Sequence, residues 1–128
     1  AYSSKFQERD CYFIKMWPRK YILNGWYILM EKGGHLKSHN HPEGWLSGVF
    51  YLKMPPKKSD EGYIEFSLHK QDFPILDADY PKKLYKVKEG DLVMFPSSLF
   101  HRTIPFYSDE ERLCIAFDLI PVETDVYK

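Results

Sequence analysis

GWLSGVFYLKM, residues 44–54, decides the fold. Its side chains alternate, with Trp45, Ser47, Val49 and Tyr51 on one side of an extended backbone and Leu46, Gly48, Phe50 and Leu52 on the other. Successive side chains of a strand point to opposite faces, so this pattern predicts a half-buried strand. The proline pair of PPKKSDEG (55–62) ends it and opens a solvated loop. Working outward, YILNGWYILM (21–30), YIEFSL (63–68), KLYKVKEGD (83–91), LVMFPSS (92–98), HRTIPF (101–106) and RLCIAFDLIP (112–121) are each of strand length. Turn residues separate them, Glu89-Gly90-Asp91 among these, and HKQDFPILDADYPK (69–82) reads as a long polar loop. No segment keeps a helical apolar stripe, and there are no repeats or low-complexity tracts. About seven short strands at this spacing predict an all-β sandwich or barrel.

Composition agrees: 10 Tyr, 9 Phe and 3 Trp favour strands over helices. A chain of 128 residues makes one domain able to bury its own core. The expected organisation is an N-terminal arm or short helix over residues 1–20, packed on a β domain of residues 21–128. Eighteen basic residues balance eighteen acidic ones, which removes the electrostatic case for nucleic acid or an anionic membrane. No apolar run approaches the roughly 20 residues of a membrane helix, and no signal-peptide pattern opens the chain. Cys11 and Cys114 form no C-x-x-C motif, and so few cysteines point to a reducing, cytoplasmic setting. The chain begins at Ala1, which fits a processed product or an excerpt of a longer polypeptide.

The chemistry is concentrated in HLKSHNHPEGW, residues 35–45. His39 and His41 are two positions apart, so on extended backbone both imidazoles reach one face and one metal. A third ligand must come from elsewhere, and His101 heads a strand that can return beside the first. Paired histidines near a turn are often only polar surface, and His101 is what raises the case for a metal. His35, just after Gly33-Gly34, is expected exposed or behind the ligands, and His69 at the surface. Glu43 offers a carboxylate but ranks below His41, because Pro42 intervenes. Arg112 opens an apolar strand, where an arginine usually snorkels to solvent. Pointing inward instead, it would be a fixed fork for a carboxylate. Cys114 would share its face, more as packing than as a nucleophile. Trp26, Tyr27 and Trp45 are candidates to frame a substrate mouth.

GGHLKSHNHPEGWLSGVFYL (33–52) and EGDLVMFPSSLFHRTIPFYSDEERLCIAF (89–117) together resemble the iron(II)- and 2-oxoglutarate-dependent oxygenases. The likeness is to a bacterial group with the pattern H-x-H-P, W-L-S-G-V-x-Y-L, F-P-S-x-L-x-H and a later Arg. It spans about residues 21–121. The resemblance implies a double-stranded β-helix, a cupin-like jelly roll, and iron(II) and 2-oxoglutarate as cofactors. His39 and His101 would match iron-ligating histidines. Arg112 would match the basic residue that pairs with the C5 carboxylate of 2-oxoglutarate, and Tyr51 a tyrosine that hydrogen-bonds it. Some members of the group are C-terminal domains of tetratricopeptide-repeat proteins, so tethering to another module is a further expectation. The implied activity is oxidation of a small-molecule or peptide substrate.

This chain departs from the superfamily's usual H-x-D, having His39-Asn40-His41. Two histidines and one carboxylate leave three iron positions open, and a third neutral imidazole raises the net charge of the site by one. Two alternatives therefore stay open. The cupin pattern can be laid on Gly33, His39, His41, Gly90, Pro96 and His101, which gives a three-histidine metalloenzyme without 2-oxoglutarate. A jelly roll that has lost its iron site and serves for binding is the other. Imidazole must be neutral to ligate, so activity is expected to fall as the pH drops through about 6–7.

Overall fold

The computed structural model describes residues 8, 10–56, 60–70, 72–75 and 79–122. Parts of the expected N-terminal arm and of the 55–62 and 69–82 loops thus lie outside the described residues. The N-terminal segment contributes one helical turn, α1 (Tyr12–Lys15). Among the described residues eight strands follow: β1 (Tyr21–Met30), β2 (Leu36–His39), β3 (Leu46–Lys53), β4 (Ile64–Ser67), β5 (Lys82–Tyr85), β6 (Leu92–Pro96), β7 (Phe100–Thr103) and β8 (Arg112–Pro121). They form two four-stranded sheets, ordered β1-β8-β3-β6 and β2-β7-β4-β5, with every pair antiparallel. This is the jelly roll that the resemblance implies, in agreement with the sandwich or barrel that the strand pattern predicts.

The alternation in β3 is obeyed where it matters. Ser47 and Tyr51 are buried toward the facing sheet, and Leu52 and Lys53 at the strand's end are exposed. β3 is flanked on both sides: Val49 is opposite Val93 of β6 and Ala116 of β8. The core lies between the sheets. Tyr51, Phe95 and Cys114 from the first meet Ile64 and Phe66 from the second, and Val87 from the β5–β6 connection closes one end. Burying such side chains contributes roughly 1.5–3 kcal/mol each, which holds two otherwise independent sheets face to face.

The β5–β6 turn forms as Lys88–Asp91. The Asp91 amide donates to the Lys88 carbonyl at 3.1 Å, and Gly90 sits at φ +85°. A positive φ at the third turn position is where glycine is needed. One expectation changes at the other end. Trp45 does not share the inner face of β3. Its ring stacks on Phe13 of α1, with centroids 5.5 Å apart, and its indole N–H donates to the Phe13 carbonyl. It anchors the N-terminal segment and frames no mouth. Tyr27 is 76 % exposed on the outer face of β1, so of the three candidate aromatics only Trp26 lines the inner cavity.

Candidate metal centre

β2 and β7 are register partners at His39 and His101, whose ring centroids lie 4.3 Å apart. His41 reaches the same point by another route. The strand ends at His39, and the chain turns through residues 41–44, where the Gly44 amide bonds the His41 carbonyl. The His41 amide is tied to the Ser97 carbonyl at 2.9 Å, and its ring packs on Trp26. One ligand atom from each of the three histidines lies within 4.8 Å of the others, so the group could hold one metal ion.

The partners of the second ring nitrogens determine the tautomers. His39 Nδ1 faces the Lys37 carbonyl at 2.6 Å and His101 Nδ1 the Leu99 carbonyl at 3.1 Å. His41 Nδ1 faces the Asp118 carboxylate at 2.7 and 2.9 Å. Carbonyls and carboxylates only accept, so each ring must carry its proton on Nδ1. That leaves three Nε2 lone pairs for a shared cation, the arrangement in which metal-binding histidines are usually held. Burial pushes His101 down to about 4, aided by the neighbouring histidines and opposed by the Leu99 carbonyl. Burial also lowers His39. His39 and His101 are therefore held neutral and ready to ligate, and for these two the acid window expected near pH 6–7 moves to lower pH.

A cavity of about 240 Å³ runs between the sheets from this cluster, walled by Trp26, Ile28, Leu36, Val49 and Ala116. Tyr51, Arg112 and Cys114 line its other side. Arg112 points inward, contrary to the snorkelling alternative, and is 2 % exposed. Its Nε donates to the Gly62 carbonyl at 3.2 Å, and its guanidinium lies 5.2 Å from the Tyr51 ring centroid. Among the described residues no carboxylate pairs with it. Among the described residues the buried Tyr51 hydroxyl makes no hydrogen bond of good geometry, and the Arg112 guanidinium is the polar group beside it. Burial raises the Tyr51 pKa above the ordinary phenol range, against the pull of Arg112, so it stays a neutral donor. Cys114 is likewise held as a thiol by burial.

The remaining sequence candidates lie elsewhere. Glu43 is exposed and outside the histidine group. His35 is exposed and faces the nearby Gly33 carbonyl at 3.1 Å. His69 packs on Tyr80 in the second sheet's outer groove, bonded to the Phe73 carbonyl. Asp118 is what the sequence pattern did not bring out. It sits in the apolar run of β8, 77 residues from the histidine it meets, and its only local signal is an acid at an inward position of a core strand.

Solved structures show the same fold. The chain matches a prolyl-4-hydroxylase of Pseudomonas putida at TM-score 0.61 and 21 % identity, over 79 % of this chain and 52 % of that one. An oxidoreductase of the 2OG-Fe(II) oxygenase family from Burkholderia pseudomallei matches at 0.59 and 16 %, over 82 % and 47 %. HygX of Streptomyces hygroscopicus, crystallised with nickel and 2-oxoglutarate, matches at 0.57 and 17 %, over 83 % and 63 %. The chain thus spans about half the length of the first two. No curated protein matches it. Residues 24–118, from β1 through most of β8, match the family described as “Putative 2OG-Fe(II) oxygenase”. This chain belongs to the 2OG-Fe(II) oxygenase family.

Proposed function

We propose that the chain is a 2-oxoglutarate-dependent oxygenase in which His39, His41 and His101 hold iron(II), while Arg112 and Tyr51 take the far carboxylate of 2-oxoglutarate. The observation that carries this is the pair Arg112 and Tyr51. Among the described residues the buried guanidinium has no acid partner and the buried hydroxyl no hydrogen bond of good geometry, and both are costly to leave unmet. They share one cavity with three imidazoles in the ligand tautomer. A dicarboxylate bound at the metal end would supply the missing acceptor at the other, so the residues fit the cofactor.

Iron(II) with 2-oxoglutarate supplies oxidising power, coupling loss of carbon dioxide from the acid to oxidation of a substrate C–H bond. The chain supplies binding and shape. The Lys37 and Leu99 carbonyls fix the His39 and His101 rings, so little reorganisation accompanies ligation. Arg112 is held at Nε by the Gly62 carbonyl and at Nη1 by Met30 Sδ, and it presents its other N–H groups to a carboxylate. Ile28, Val49, Ala116 and Cys114 exclude water between the two ends. A cavity of this size, with Trp26 beside His41, fits a small molecule or one side chain of a peptide. Two unpaired cysteines, Cys11 exposed and Cys114 buried, support a cytoplasmic setting.

Anaerobic reconstitution with iron(II) and 2-oxoglutarate tests this. A visible charge-transfer band is expected, lost in His101→Ala and requiring much more 2-oxoglutarate in Arg112→Gln. Metal binding without any band would favour the cupin-type alternative, which the all-histidine ligand group keeps in view. No metal binding would leave a binding domain.

A further inference from the structure

The carboxylate absent from positions 39–41 is present on the other side of the His41 ring. Asp118 is 8 % exposed and accepts the His41 Nδ1–H at 2.7 Å on Oδ1 and 2.9 Å on Oδ2. Ser47 Oγ donates to Oδ1 at 2.6 Å and is 2.7 Å from Ser97 Oγ, and both serines are fully buried. The cross-strand pairing of Ser47 with Asp118 builds this chain of bonds into the β3–β8 ladder. Ser97 closes the loop by accepting the His41 amide on its carbonyl. Gly44 leaves the space for it: a Cβ there would sit 2.5 Å from Ser97 Oγ and 3.5 Å from Asp118 Cγ. Among the described residues Asp118 pairs with no lysine or arginine.

The three histidines are therefore not equivalent. His39 and His101 are each backed by a neutral carbonyl, His41 alone by a charge. We propose that Asp118 is a positioning residue, held by Ser47 and Ser97, that makes His41 serve where this superfamily's usual carboxylate ligand is missing. Two effects follow from the geometry. The acceptor keeps the proton on Nδ1 and so keeps Nε2 on the metal side. The fixed negative charge, one imidazole away in a site of low dielectric, offsets the excess positive charge of an all-imidazole face. The inference rests on the ligand set proposed above.

Asp118→Asn removes the charge with little change of shape and leaves one amide oxygen as an acceptor at this position. Asp118→Ala removes both. With cobalt(II) as the probe, titrated against a chromophoric chelator, the expected loss of affinity is about 10-fold for Asp118→Asn and up to about 100-fold for Asp118→Ala. Long-range ¹⁵N spectra of the metal-free protein should show His41 in the Nδ1–H form in wild type, and the other tautomer gaining in Asp118→Asn, whose amide N–H can donate to Nδ1, and in Asp118→Ala. The spectra read the tautomer without any bound metal, and the near-isosteric asparagine keeps the fold. Wild-type cobalt affinity in Asp118→Asn and Asp118→Ala would overturn the role. So would complete loss in Asp118→Ala with none in His41→Ala, since Asp118 would then be the ligand itself. Undiminished binding in both His39→Ala and His101→Ala would instead bring down the ligand set, and this inference with it.

Discussion

At the scale of single residues the cavity holds a buried polar group whose hydrogen bonding is unmet among the described residues. Among the described residues the buried Tyr51 hydroxyl makes no hydrogen bond of good geometry, with only the Arg112 guanidinium beside it, so unliganded it is a cost. Tyr51→Phe should therefore raise unliganded stability by about 1 kcal/mol in urea melts and weaken 2-oxoglutarate binding severalfold in calorimetry. A clear loss of stability would mean that the hydroxyl has a partner after all. The lowered histidines have a signed consequence. The folded form binds fewer protons than the unfolded one between His101's value of about 4 and the unfolded value of 6.5. Stability of the metal-free protein should thus be full above about 6.5 and fall by up to about 3 kcal/mol as the pH approaches 4. His101→Gln should flatten much of that slope, and an unchanged slope would place its origin elsewhere.

At the scale of elements, the strands are positioned by their turns. Gly90 at φ +85° closes Lys88–Asp91, and from there the Asp91 carbonyl and the Gly90 amide bond back to Tyr51 on β3. A Cβ at Gly90 meets nothing within 4 Å, so any penalty for a side chain is backbone strain alone. Gly90→Ala should cost about 1–2 kcal/mol in thermal or urea melts while leaving cobalt affinity unchanged, because the turn is remote from the histidines. Gly44→Ala should do the reverse of sparing the site. Its Cβ would press on buried Ser97, so both stability and metal affinity should drop. A variant with wild-type metal affinity would show that the His41 turn tolerates movement.

At the scale of the molecule, the proposed centre joins the two sheets. His39 and His101 come from β2 and β7 of one, and Asp118 and Arg112 from β8 of the other. A metal that binds only the folded chain stabilises it by about 2.7 kcal/mol at a free concentration 100 times Kd. Cobalt(II) should accordingly raise the melting temperature by several degrees, EDTA should reverse the rise, and His101→Ala should abolish it. No shift in the wild-type protein would contradict a metal centre spanning both sheets. Among the described residues no helix is long and apolar enough to cross a membrane.

The sequence alone determined seven of the eight described strands, all but β2, because their signals are local. Alternation in residues 44–54, proline and glycine punctuation, and Glu89-Gly90-Asp91 are written in neighbouring positions, and β6, β7 and β8 fall where their apolar runs do. The resemblance then pointed to His39, His101, Arg112 and Tyr51, which the fold brings to one cavity. Only the tertiary structure decided that β2 stops at His39, that Trp45 turns to Phe13, and that Asp118 stands behind His41. The last of these joins groups 71 and 77 residues apart. Periodicity reports which face a side chain occupies, but which strand lies opposite is set by sheet order and register. An acid in the run RLCIAFDLI therefore looks like an interruption until β3 and His41 are placed against it.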